Sequence, residues 1–136
     1  MVRKLRVAFG MIDDENLIKG HFGDSKFYYI VDVYEDGRHE IVEKRINEAS
    51  ELEEHESHHG DPNKFKAVIS QLPDVDVLAA FVMGPNIKRI REKSDKVPFF
   101  TKTTDFNQAL QRVKEHFEEL YGMVIEKKKK FQEAKE

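Results

Sequence analysis

The run Val75 to Met83 (VDVLAAFVM) is nearly all apolar in a chain whose charged fraction is 36%. A strand of this composition needs cover on both faces, so the fold has to place helices on either side of a sheet. The flanking residues provide them. Asp61-Pro62 reads as an N-cap with proline in the first turn, followed by Phe65, Val68, Ile69 and Leu72 at helical spacing and a stop at Pro73. Gly84-Pro85-Asn86 opens a second helix with Ile87 and Ile90 inward, and Val97 to Phe100 is a short strand. Phe106, Ala109, Leu110, Val113, Phe117, Leu120 and Tyr121 trace a long amphipathic helix. The chain then turns Lys-rich, with Lys127 to Lys130 in a row, which reads as a solvated, fraying helix end; the alternative is a patch for a partner's acidic surface.

The first third is built differently. Val2 to Phe9 alternates, with Leu5, Val7 and Phe9 on one face, and Phe27 to Tyr34 (FYYIVDVY) is aromatic and β-branched. Glu35-Asp36-Gly37-Arg38 is a hairpin signal joining it to an antiparallel strand, His39 to Ile46. The order is therefore βββαβαβα. Right-handed crossovers place strand four beside strand one and strand five outside it. The expectation is a single-domain α/β fold with a five-stranded mixed sheet in the order 3-2-1-4-5 and helices on both faces, the ribonuclease-H-like arrangement. Residues 1–121 form that domain and 122–136 a Lys-rich tail, helical or frayed.

Composition excludes several functions. There is no cysteine, hence no disulfide, no thiolate zinc site and no cysteine-ligated iron–sulfur cluster. A net charge of −3 gives no global basic field for nucleic acid. No apolar run reaches membrane-spanning length, and a cytoplasmic protein is expected. Asp13, Asp14 and Glu15 invite a two-metal nuclease reading, but strand one, the first helix interior and the end of strand four carry no acids. No serine–histidine–acid set, phosphate loop or dinucleotide fingerprint occurs, and no enzyme is expected.

The chemistry that remains lies in the histidines. With strand one pointing up, the loops after strands one and three and the turn at Gly84 all reach the top edge, where ligands of open α/β sheets bind. His21 is on the first loop; His55, His58 and His59 are on the second, before Gly60-Asp61-Pro62. That second loop, Asn47 to Asp61, carries Glu48, Glu51, Glu53, Glu54, Glu56 and Asp61 against no Lys or Arg, and reads as the most mobile segment. Neutral imidazoles are competent ligands for iron, copper or zinc. The bland reading of His21 is a turn histidine that orients the loop, and that of the histidine loop a solvated acidic segment. Met11 and Met83 end near the same edge, as soft thioether donors or, more ordinarily, as core filler.

The stretch RVAFGMIDDENLIKGHFGDSKFYYIVDV, a strand, a polar loop, His21-Phe22-Gly23 and a second strand, resembles the dinitrogenase iron–molybdenum cofactor biosynthesis family. The histidine loop HESHHGDP and the apolar strand leading into Gly84 match as well. The loop is more acidic than is usual in that family, and the basic tail is not part of its pattern.

The resemblance implies a ribonuclease-H-like domain that binds or carries iron–molybdenum cofactor, its precursors or a related metal–sulfur cluster without catalysis. Donor and acceptor proteins would be its partners, and nucleic acid and membranes would not. His21 is the leading ligand, with His55, His58 and His59 next. Phe22, Gly23, Gly60, Gly84, Met11 and Met83 would line the cofactor, the glycine N–H groups facing its sulfides. The alternative function is a regulatory or interaction domain without a cluster; a third is a plain divalent-ion binder using the histidine loop.

Overall fold

The computed structural model describes residues 2–49 and 62–135. His55, His58, His59, Gly60 and the N-cap assigned to Asp61 lie outside the described residues. Five strands form one sheet in the order β3-β2-β1-β4-β5, as expected. They are β1 (Lys4–Met11), β2 (Phe27–Tyr34), β3 (His39–Ile46), β4 (Val77–Ala80) and β5 (Val97–Phe100). β1 pairs antiparallel with β2 and parallel with β4; β2 pairs antiparallel with β3, and β4 parallel with β5. Four helices complete the described fold: α1 (Pro62–Ser70), α2 (Ile87–Lys93), α3 (Phe106–Glu115) and α4 (Phe117–Lys135).

The two-residue period of β1 divides the core. Leu5, Val7, Phe9 and Met11 point to one face, where α3 and α4 cover them with Phe106, Leu110, Val113, Phe117, Leu120 and Val124. Ala8 of β1, with Tyr28 and Ile30 of β2 and Leu78 and Ala80 of β4, faces the other way against Val68 and Leu72 of the α1 region and Ile90 of α2. β4 is buried along its whole length, which is why its sequence is apolar without alternation.

Three details differ from the sequence reading. β1 is shifted two residues toward the C-terminus, so Met11 is its last residue and not part of the following loop. The long helix is two helices: the chain breaks at His116, whose N–H bonds to the carbonyls of Arg112 and Val113, both at 3.1 Å, and whose ring Nδ1 is 2.8 Å from the Arg112 carbonyl. The Lys-rich end is not frayed, because α4 runs on to Lys135. Lys127 Nζ donates to the Ile90 carbonyl at 2.7 Å and to the Lys96 carbonyl, and Lys128 Nζ meets Asp76 at 2.6 Å. The first ties α4 to the end of α2, where the last carbonyls of a helix attract cations, and the other two tie it to the residues just before β5 and β4.

An ionic network joins β1, β2 and β3 to the turn that precedes β4. Arg6 holds buried Asp32 through two hydrogen bonds, 2.8 and 3.1 Å, and reaches Asp74 at 2.9 Å; Arg45 meets the same Asp74 at 3.0 Å. No helix of the described residues is long and apolar enough to cross a membrane.

Candidate functional site

His21 owes its position to the residue that follows it. Phe22 is buried to 1% exposure, with its ring 4.8 Å from that of Tyr28. Its carbonyl accepts three hydrogen bonds, from Ser25 N–H at 3.2 Å, Ser25 Oγ at 2.7 Å and Tyr28 Oη at 3.1 Å. Burial pushes the Tyr28 phenol upward, so it stays protonated as a donor. The buried amide of Asn47, at the end of β3, adds bonds to the carbonyls of Gly23 and Ser25, at 2.9 and 2.8 Å. The result is a short 3-10 turn, Phe22–Asp24, locked from below.

With the turn fixed, the backbone of His21 forms a parallel bridge with Val82, beside the continuation of β4. That brings the imidazole onto Gly84. A Cβ at Gly84 would stand 2.6 Å from His21 Cγ and 2.9 Å from its Nδ1, and Gly84 has φ of +87°, a conformation that L side chains rarely adopt. Only glycine meets both demands. The imidazole side chain stays 41% exposed at the top edge of the sheet.

Asp24 and Lys64 complete the charged surroundings. Lys64, on α1, is 2% exposed; its ammonium pairs with Asp24, and its Cε would lie 3.3 Å from a Cβ at Gly23. The other Asp24 oxygen is 4.0 Å from His21 Nδ1. That is too long for a hydrogen bond. A crevice of about 20 Å³, room for roughly one water, opens beside this group between Gly23, Lys64, Phe65, Met83 and Asn86.

The other expected site residues divide clearly. Gly84 packs on His21, and Gly23 and Met83 line the neighbouring crevice. Met83 is 4% exposed, a wall of the crevice and part of the core. Phe22 is an anchor beneath the turn. Met11 does not belong to the site: it continues the Leu5-Val7-Phe9 alternation, so its fully buried thioether points to the α3–α4 face. α2 begins at Ile87, with Asn86 at its N-cap, and Gly84 serves the histidine contact before it. Among the described residues no three His, Asp or Glu side chains stand together to hold a metal ion. Sequence reasoning missed Ser25, Tyr28, Asn47 and Lys64, which signal nothing until β1, β2, β3 and α1 meet at one point.

Asp13 and Asp14, weighed as metal-binding carboxylates, take part in loop structure. Asp13 accepts from the N–H groups of Glu15 and Asn16, at 2.9 and 2.8 Å, bonds that lower its pKa. Asp14 pairs with Lys44 at 3.1 Å.

No curated protein matches the chain. Residues 3–116, from the start of β1 through α3 and including the whole His21 turn, match the family model described as dinitrogenase iron-molybdenum cofactor. With that much of its 136 residues matched, the chain belongs to the dinitrogenase iron–molybdenum cofactor family.

Proposed function

We propose that this protein is a non-catalytic carrier of iron–molybdenum cofactor or a related metal–sulfur cluster, held at the top edge of the sheet with His21 as its protein ligand. Membership of the family links the chain to that cofactor's biosynthesis or binding. The observation that carries the finer reading is the His21 imidazole, half-exposed yet fixed by a buried turn and by Gly84. A cluster brings most of its metal ligands with it as sulfides, so one imidazole is enough to anchor it. A bare ion needs several protein donors. Attachment through one side chain also suits a cargo that has to leave.

The test is an anaerobic titration of the whole protein with isolated iron–molybdenum cofactor, followed by backbone amide NMR. Saturable shifts confined to His21–Asp24 and Val82–Asn86 are expected, and His21→Ala should weaken binding at least about tenfold while leaving the spectrum of the β1–β4 core unchanged. Wild-type affinity in that variant would refute the anchoring role. Zinc titration without sulfide addresses the plain-ion alternative, which requires a saturable site lost in His58→Ala/His59→Ala.

A further inference from the structure

A groove of about 380 Å³ runs along the open edge of the sheet, between the end of α2, β5 and α4. It shares no lining residue with the crevice beside Gly23 and Met83. Its floor is Val97, Pro98, Phe100 and Met123, the last two 39% and 46% exposed. Its rim is Arg91, Lys127 and Lys130, and Glu126 is the only acid among the lining residues. A volume of this order takes a whole side chain or a small ligand.

We propose that this groove docks a carboxylate-rich segment of a partner protein, seating one of its apolar side chains on Phe100 and Met123 while Arg91 and Lys130 pair with the flanking carboxylates. Charge complementarity is the argument. Although the whole chain carries −3, α2 holds Lys88, Arg89, Arg91 and Lys93 against Glu92, and residues 126–130 hold four lysines against Glu126. The fold brings these two segments together, since Lys127 bonds to the Ile90 carbonyl. A localised positive rim on an otherwise acidic protein selects and steers an acidic partner. The rim has charge to spare: Arg91 is exposed, and Lys130 pairs with Glu126 only along its own helix, both side chains largely in solvent.

Backbone geometry indicates how the segment is read. The N–H groups of Val97 and Thr101 point to β4, bonding Asp76 and Ala80 at 3.0 and 2.9 Å. Alternation therefore turns Pro98 toward the open edge, where it has no N–H to offer. Addition of a partner strand is disfavoured, and recognition falls to the side chains. Exposed phenylalanine and methionine beside cations fit an apolar anchor among carboxylates better than they fit a phosphate backbone. All of α4 lies beyond the family match at residues 3–116, so the groove joins the family domain to a helix outside it.

The test uses the full chain and a short fluorescein-labelled peptide with a central Leu-Phe flanked by glutamates. Saturable anisotropy is expected, with amide shifts at Arg91, Val97, Phe100 and 123–130 and none at His21–Asp24. Arg91→Glu and Met123→Glu, both on exposed positions, should each reduce affinity about tenfold without loss of the folded spectrum. Shifts elsewhere, wild-type affinity in both variants, or equal binding of a peptide with serines in place of Leu-Phe would overturn the proposal. So would equal binding of a single-stranded oligonucleotide, which would mark a nonspecific polyanion surface.

Discussion

Replacing Gly84 with alanine tests the packing that aims His21, and its cost can be worked from two separate sources. The first is backbone: at φ +87° an L side chain costs about 1–2 kcal/mol. The second is steric, because the new Cβ would stand 2.6 Å from His21 Cγ; overpacking of this kind costs about 1–3 kcal/mol. Together they predict a loss of about 2–5 kcal/mol, on the order of 10 °C in midpoint temperature for a domain of this size. The two sources separate in a double-mutant cycle. His21→Gly alone should cost about 0.5–1 kcal/mol through chain entropy. In His21→Gly/Gly84→Ala the clash is gone while the backbone penalty and the chain-entropy cost remain, so the double variant should be more stable than additivity predicts by the steric term, about 1–3 kcal/mol. Urea unfolding followed by circular dichroism measures all four corners. Additivity within about 0.5 kcal/mol would show that His21 does not rest on Gly84, and the account of the site would lose its foundation.

Two further outcomes follow from charge. Hydrogen bonds from Arg6 hold the carboxyl of Asp32 below its usual range, and bonds from Arg45 and Arg6 do the same for Asp74. Their folded pKa values are depressed, so the stabilisation is fully present above the unfolded value of about 4 and is lost as pH falls through the folded values. Asp32→Asn should therefore be the less stable protein at pH 7 by about 2 kcal/mol or more, with the gap closing toward pH 2 in an acid series of urea curves; a pH-independent gap would refute the ionic origin. Burial pushes the Lys127 ammonium down to about 8. Its unmodified side chain, followed by carbon NMR at Cε, should titrate well below the other lysines, and a midpoint above about 10, the ordinary lysine value, would show that the bonds to the Ile90 and Lys96 carbonyls outweigh burial.

What the sequence disclosed and what it withheld have a common physical cause. The bounds of β2, β3 and β5 are legible because local chemistry sets them: aromatic and β-branched runs, and a Gly37 turn at φ +92°. The helix break at His116 is not, since apolar spacing continues across it and the break is a backbone event at one residue. Charge alone suggested a frayed lysine end, because nothing local shows that Lys127 will find two carbonyls from α2 and the start of β5. The site divides the same way. His21 stands out by residue type, whereas Tyr28, Asn47 and Lys64 acquire their roles only through contacts that cross the fold.

Those silent residues bear on how the proposed carrier works. A ligand side chain that is ordered before its cargo arrives loses less freedom on binding, and pre-organisation of this kind raises affinity without adding a contact. Here the ordering comes from three donors on the Phe22 carbonyl, two of them side chains buried beneath the turn. Ser25→Ala/Tyr28→Phe removes two of the three while keeping His21, Gly84 and the Phe22 ring. Each lost bond should cost about 1 kcal/mol of stability, and the loosened turn should also release cluster faster, with His21 amide order parameters reduced. Unchanged cluster affinity in this variant, alongside a loss in His21→Ala, would mean that the imidazole binds whatever the rigidity of its turn. Equal losses in both would mean that the turn beneath the histidine matters to the cargo as much as the histidine itself.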